Sequence, residues 1–329
     1  MPANLTPQYH KAEQAYRNAS TPQEELECLE IMLKEIPKHK GTDKLQADLK
    51  QKISRLKKDV AQAKPGGKRL GFRLPRQGAG RVVLIGPANA GKSQLLASLT
   101  RAHPEIADYP FTTREPQPGM MPWEDIAIQL VDTPAITRDV YAPEVQALIR
   151  GADWVILLAD LGSDDGGQDL ADVLHAVQQS RTRLARTTWL DEDDIGISFT
   201  GTILAFNKID LPEAADRYQF FQEFIDVDFE CVSISALTGA GLEQLKKLIF
   251  ERLDVVRVYT KMPNKKDADY EKPYTLTRGG TIADLARLIH NDLAEQLKFA
   301  RVWGSAVHDA TTVKGDYVLH DRDVVEIHS

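Results

Sequence analysis

Eight residues, Gly86-Pro87-Ala88-Asn89-Ala90-Gly91-Lys92-Ser93, constrain this chain more than any other stretch. They fit the pattern G-x-x-x-x-G-K-[ST]. The β-branched apolar run at 81–85 stands just before them and reads as a buried strand. Residues 94–99, rich in helix formers and free of breakers, stand just after. Strand, glycine loop and helix in that order aim loop amides and a helix N-terminus at one point, which favours a phosphate chain. Lys92 is placed to reach the β- and γ-phosphates, and the Ser93 hydroxyl to bind Mg²⁺. Asn89, Ala90, Gly91 and Gln94 complete the cradle.

The rest of the chain sorts around this loop. From 81 to about 253, apolar runs at 81–85, 126–131, 154–159, 202–206 and 231–234 alternate with helical patterns at 92–101, 142–150, 168–183, 213–225 and 241–252. That alternation predicts an α/β domain with a doubly wound, mainly parallel sheet. Ligands then bind at the carboxyl ends of the strands. Residues 254–329 carry short strand patterns around one helical stretch at 281–297, an α+β unit of β-grasp type. Residues 1–63 read as helical. Thr21-Pro22-Gln23-Glu24 is a capping box, and Leu45, Leu49, Ile53, Leu56 and Val60 form a stripe. A helical hairpin with one basic face is expected there, joined to the α/β domain by a glycine-rich basic linker at 64–80. The domains are therefore placed at 1–80, 81–253 and 254–329.

Charge is divided unevenly. The chain of 329 residues has a net charge of −7. Residues 1–81 carry 17 Lys+Arg against 9 Asp+Glu, a net of +8, so the remainder stands at −15. A basic arm, concentrated between Lys34 and Arg81, on an acidic body suggests a polyanionic partner, nucleic acid first. No run of 18 apolar residues and no secretory leader is visible, and the cysteines are two, Cys28 and Cys231. A cytoplasmic location with thiols rather than a disulfide is the plain expectation, and no membrane partner.

Three later elements specify the base. Asn207-Lys208-Ile209-Asp210 follows the strand pattern at 202–206. An Asp carboxylate accepts from both N1–H and N2–H₂ of guanine, a donor pair that adenine lacks. Asn207 can meet the N7/O6 edge, and the stem of Lys208 can cover one ring face. Ser235-Ala236-Leu237 follows the next strand, where a backbone N–H near Ala236 can donate to guanine O6. Asp132, at the end of the run 126–131, can hold Mg²⁺ directly or through water. Thr113, or its neighbour Thr112, can complete that shell when a γ-phosphate is present.

At this point the chain resembles a known family, the Obg-related GTPases, and within them the developmentally regulated GTP-binding proteins. The matching text is PKHKGTDKLQADLKQKISRLKKD at 37–59, DYPFTT at 108–113, NKID at 207–210 and TRGGTIADLARLIHNDLAEQLKFARVWG at 277–304. The last stretch is similar to a TGS domain, a ubiquitin-like β-grasp module. The resemblance implies a P-loop GTPase that hydrolyses GTP as a molecular switch and works around the ribosome or RNA, through residues 34–81 and the TGS domain. It implies slow turnover, because Ile136 stands where many GTPases carry a water-orienting glutamine. It also implies K⁺ at Asn89, so that Lys92, Asn89 and Thr113 are the candidate catalytic residues. Two departures stand out. Ala135 replaces the usual glycine, and 160–200 is too short for the inserted domain of close relatives and reads as one helix and an acidic loop. The competing expectation is a nucleotide-sensing adaptor that binds a protein partner with little turnover.

Overall fold

The computed structural model describes residues 6–18, 22–37, 42–62, 74–100, 115–190, 197–263, 265 and 267–329. The chain begins with helices α1 (Pro7–Asn18), α2 (Pro22–Glu35) and α3 (Asp43–Gln62). The glycine-loop unit follows as β1 (Arg81–Ile85), α4 (Lys92–Leu99), β2 (Gln117–Trp123), β3 (Ile126–Asp132), α5 (Pro143–Arg150), β4 (Trp154–Asp160), α6 (Gly166–Gln178), β5 (Thr182–Ala185), β6 (Trp189–Leu190), β7 (Ser198–Asn207), α7 (Ala214–Phe224), β8 (Glu230–Ser233) and α8 (Leu242–Leu253). The chain ends in β9 (Val255–Thr260), β10 (Asp269–Thr277), α9 (Ile282–Ile289), α10 (Asn291–Glu295), β11 (Phe299–Gly304), β12 (Val307–Val313) and β13 (Asp323–His328).

The central sheet runs β2-β3-β1-β4-β7, with β5, β6 and β8 also paired to β7. β1 is parallel to β3 and β4, and β7 to β4, β5 and β8. Every residue of β1 is buried. Because side chains alternate faces along a strand, Val82 and Leu84 enter one core with α4 and α8, while Val83 and Ile85 enter a second with α5, α6 and α7. This doubly wound arrangement sets the carboxyl ends of β1, β3, β4, β7 and β8 along one rim.

Several expected elements differ. β2 was not expected; it pairs antiparallel with β3 at the sheet edge, where Pro118 and Pro122 leave no interior ladder bond unmade. The helix expected at 168–183 stops at Gln178, and β5 and β6 replace the rest of the single helix and loop read at 160–200. Asp191–Asp194 lies outside the described residues, as does the capping Thr21. The N-terminal hairpin gains a third helix, α1, whose Tyr9 and Ala12 share a core with Leu26, Leu29, Met32, Leu45, Leu49 and Ile53. Part of the α3 charge is spent internally, since Lys57 pairs with Glu30 at 2.9 Å. Residues 74–80 are not linker: Ala79 N–H donates to Ala127 at 2.8 Å, and Gln129 donates to Pro75 at 2.9 Å.

The C-terminal sheet runs β10-β9-β13-β11-β12, with β9 and β13 parallel and the other pairs antiparallel, and α9 packs Ile282, Leu285 and Ile289 onto it. Thr281 and Asp284 form a reciprocal capping box at the start of α9. The helix expected at 281–297 breaks at His290, whose ring accepts from the Asp292 amide and caps α10. His290 is thus exposed at the junction of the two helices.

One buried cation joins the two sheets. Arg257 of β9 donates to Asp321 at 2.6 and 3.0 Å, to Asp125 at 2.9 Å and to Glu124. Glu124 and Asp125 form the turn between β2 and β3. Tyr259 adds a hydrogen bond to Asp125, and Arg322 one to Glu124 at 2.8 Å. Burial works against the charges of Asp125 and Asp321, but the hydrogen bonds from Tyr259 and Arg257 outweigh it and hold both carboxyls below the ordinary range. Glu124 is lowered chiefly by its bond from Arg257.

Replacing Arg257 leaves Asp125 and Asp321 without their cation and Glu124 with Arg322 alone, so Arg257→Met is expected to cost about 2 kcal/mol by urea denaturation at pH 7. The depressed carboxyl values make this stabilisation present above about pH 4 and lost as pH falls through the lower folded values. The gap between wild type and variant should therefore close in acid. A gap that persists unchanged at pH 2 would show that the contact is not ionic.

Candidate functional site

The glycine loop is bent by three positive φ angles, at Gly86, Asn89 and Gly91. Gly91 is required twice over. Its φ of 91° suits glycine, and a Cβ there would stand 2.3 Å from the Asn207 amide nitrogen. Ala90 is fully buried, whereas Asn89 is exposed at the loop crest with φ 60°, a conformation asparagine tolerates. Lys92 opens α4 and is buried. Its ammonium donates to the carbonyls of Pro87 at 2.6 Å and Gly86 at 3.1 Å. Burial lowers its pKa to about 8, against the opposing pull of Asp132. Gln94, one turn on, reaches Ser98 at 3.3 Å.

β3 delivers the next groups. Asp132 is fully buried at its carboxyl end, and the Ser93 hydroxyl donates to it at 2.5 Å. A hydroxyl and a carboxylate side by side are the hard oxygen donors that Mg²⁺ takes. Thr133 is anchored to the Leu84 carbonyl at 2.8 Å. The Ile136 amide donates to Gly86 at 3.2 Å while its side chain is buried in the core with α5. Ala135 has no positive φ, so this conformation does not demand the glycine it replaces.

Asn207, the last residue of β7, is the centre of the site. Its side-chain N–H donates to the Ala90 carbonyl at 2.8 Å, and its oxygen accepts from the Ala236 amide at 2.9 Å. The side chain therefore bridges the glycine loop and the loop after β8. The Ala236 N–H, considered above for guanine O6, is engaged by this bridge; the exposed Leu237 is the next residue along. Ser235 is buried, and its hydroxyl accepts from Thr238 at 3.0 Å. The Ala236 carbonyl accepts from Ser98 of α4 at 2.6 Å, a second tie between the same two loops.

Lys208 is held at φ 69°, an uncommon angle for a side-chain-bearing residue. Its ammonium pairs with Asp160 at 2.6 Å, and the other Asp160 oxygen accepts from Gly162 at 2.7 Å. Asp160 was missed in the sequence reading; its signal was an acid at the carboxyl end of the β4 pattern. Asp210 is exposed in the turn beyond. Thr113 and Thr112 lie outside the described residues. The structure thus brings Asn89 to Gln94, Asp132, Asn207 to Asp210 and Ser235 to Leu237 to one rim of one sheet.

Comparison with known proteins agrees with this geometry. Residues 81–190 match the family described as 50S ribosome-binding GTPase, and residues 256–329 match the TGS domain. The chain is 30% identical to Developmentally-regulated G-protein 2 of Arabidopsis thaliana over 361 residues, covering 92% of this chain and 90% of that protein. The chain belongs to the developmentally regulated GTP-binding protein family. It is a GTP-binding protein of the Obg-like GTPases. An uncharacterized GTP-binding protein of Methanocaldococcus jannaschii is 27% identical, with 93% of this chain and 92% of that one covered. Among solved structures, a GTP-binding protein from Pyrococcus horikoshii OT3 aligns with 76% of this chain and 99% of its own, at 14% identity and a TM-score of 0.46. The 361 aligned positions exceed the 329 residues of this chain, so the Arabidopsis member has residues with no counterpart here.

Removing the Asn207 amide leaves a buried N–H and a buried carbonyl unsatisfied, each at about 1–3 kcal/mol. Asn207→Ala is expected to weaken GDP binding on the order of tenfold to a hundredfold and to lower the melting temperature. Asn207→Asp keeps the acceptor but sets an oxygen against the Ala90 carbonyl, and should fail in the same way. Calorimetric titration with GDP checks both, and wild-type affinity in either variant would remove Asn207 from the centre of the site.

Proposed function

We propose that this protein hydrolyses GTP to GDP and phosphate as a slow molecular switch acting on ribosomes or structured RNA in the cytoplasm. The observation that carries the reading is the convergence of the glycine loop, Asn207–Asp210 and Ser235–Leu237 through one side-chain amide. Phosphate recognition and base recognition are thereby held in a fixed relation.

In this reading each group has a task. The loop amides from Asn89 to Ser93 bind the phosphates, and the Lys92 ammonium exchanges its loop carbonyls for phosphate oxygens. The second N–H of Asn207 serves the purine N7, and the Leu237 amide serves O6. Asp210 accepts from N1–H and N2–H₂ of the base. Lys208, steadied by Asp160, covers a ring face. Ser93, Asp132 and Thr113 would hold Mg²⁺, which supplies charge neutralisation on the phosphates. Ile136 has no group that can orient water, and its side chain is buried. Turnover then depends on charge supplied from outside, with K⁺ at Asn89 as the source. The basic residues between 34 and 81 and the TGS domain serve the RNA or ribosomal partner.

Two measurements test this. Asp210→Asn should shift preference from GTP to XTP, because the amide offers a donor where the guanine ring also donates; unchanged GTP affinity would sink the base assignment. Hydrolysis should be faster in KCl than in NaCl at equal ionic strength. Equal rates would remove K⁺ from Asn89, and no turnover in either salt would favour a nucleotide-sensing adaptor.

A further inference from the structure

We propose that the cleft between the loop after β3 and the α6–β5 turn is a second binding site, for a phosphate-bearing ligand of about nucleotide size. The cleft has a volume of about 650 Å³, within the range that small-molecule sites occupy. Its walls come from the loop after β3, α5, α6 and the turn before β5. They present Arg138, Arg150, Arg181 and His175 against a single lining carboxylate among the described residues, Asp139.

Two of these charges have no partner in the described fold. Neither the Arg138 nor the Arg181 guanidinium has an acidic partner among the described residues. Arg150 reaches the cleft from α5 while lying over the Tyr16 ring of α1, 5.8 Å from its centre. The arginines outnumber the one lining carboxylate, Asp139, and an anion between Arg138 and Arg181 offsets their mutual repulsion. Their planar forks match phosphate oxygens in pairs, which fits a phosphate better than a monovalent anion.

A neutral donor completes the set. The Tyr141 hydroxyl is buried in this wall with no hydrogen-bond partner in good geometry, although Ser180 is close by. The Ser180 hydroxyl is already directed to the carbonyls of Val177 at 2.8 Å and Thr182 at 3.1 Å. Burial, only partly offset by Ser180, raises the Tyr141 pKa well above its ordinary value, so the phenol stays protonated and able to donate. A buried donor without an acceptor is costly, and a ligand oxygen supplies what is missing.

The site is separate from the nucleotide loop, yet coupled to it through the chain. Arg138 and Tyr141 follow Ile136 by a few residues, and the Ile136 amide is bonded to Gly86 of the glycine loop. An occupant that fixes the loop after β3 therefore acts on the nucleotide site, and the coupling is reciprocal. The inference stands whether or not GTP is turned over.

The test uses the full chain saturated with GDP and Mg²⁺, so that the glycine loop is filled. Inorganic pyrophosphate is titrated calorimetrically, and a short single-stranded RNA is added in a parallel arm. Pyrophosphate should bind at one site. Binding should weaken by roughly tenfold or more in Arg138→Ala with Arg181→Ala, and severalfold in Tyr141→Phe, with GDP affinity unchanged. RNA that displaces pyrophosphate in an arginine-dependent way supports the site and names a nucleic-acid backbone as the phosphate source; RNA that does not compete supports a free small molecule. If neither probe binds the GDP-loaded protein, or binding ignores the substitutions, the proposal is overturned.

Discussion

The side-chain amide of Asn207 is the contact on which the site depends. The glycine loop leaves β1, the Asn207–Asp210 turn leaves β7, and the Ser235–Leu237 loop leaves β8. Parallel pairing brings the strand ends to one rim, but loops on a common rim can still splay. Asn207 removes that freedom, because an amide is donor and acceptor at once and here serves a carbonyl on one side and an N–H on the other. The bridge is buried, so leaving either end unmade would be expensive. Gly91 is its counterpart, since any side chain there would strike the Asn207 amide. Two residues that sequence logic assigns to different motifs, one for phosphate and one for base, are thus fixed by the same few cubic ångströms.

What could be read in the sequence follows from how local each signal was. β1, β3, β4 and β7 were legible because strands buried on both faces become apolar runs, whereas β8 buries only Val232 and was legible from its place in the strand–helix alternation. The glycine loop and Asn207–Asp210 were legible because their chemistry lies in consecutive residues. β2 was hidden by Pro118, Gly119 and Pro122, which are admissible at a sheet edge and read as breakers without knowledge of the edge. β5 was hidden because the helical pattern of α6 runs on into Arg181 and Arg183 with no glycine or proline to stop it. The engagement of the Ala236 amide and the Lys208–Asp160 pair were invisible for a different reason. Both join residues far apart in the chain, and only the register of β4 against β7, Asp160 opposite Asn207, brings the second pair together.

The segment after β3 shows how one carbonyl can serve two purposes. Gly86 accepts from the Lys92 ammonium and from the Ile136 amide. The buried Ile136 side chain anchors the segment by its apolar area, worth about 2 kcal/mol on removal from water, where a polar residue would bind no better. An isoleucine at this place therefore fixes the backbone beside the glycine loop. Ala135 is compatible with that arrangement, because no positive φ is asked of it in the conformation seen.

The Arg257 contact extends the same logic to the C-terminal unit. β3 is seven residues long, about 20 Å from end to end. At its carboxyl end Asp132 accepts from Ser93 of the glycine-loop helix. Just before its amino end, Glu124 and Asp125 hold the guanidinium of Arg257. Arg257 is in turn fixed by Asp321 from the turn before β13, so the cation belongs to both sheets. β3 is paired along both edges, parallel to β1 and antiparallel to β2. The TGS sheet and the Ser93–Asp132 contact of the nucleotide site are thus joined through the two ends of one strand.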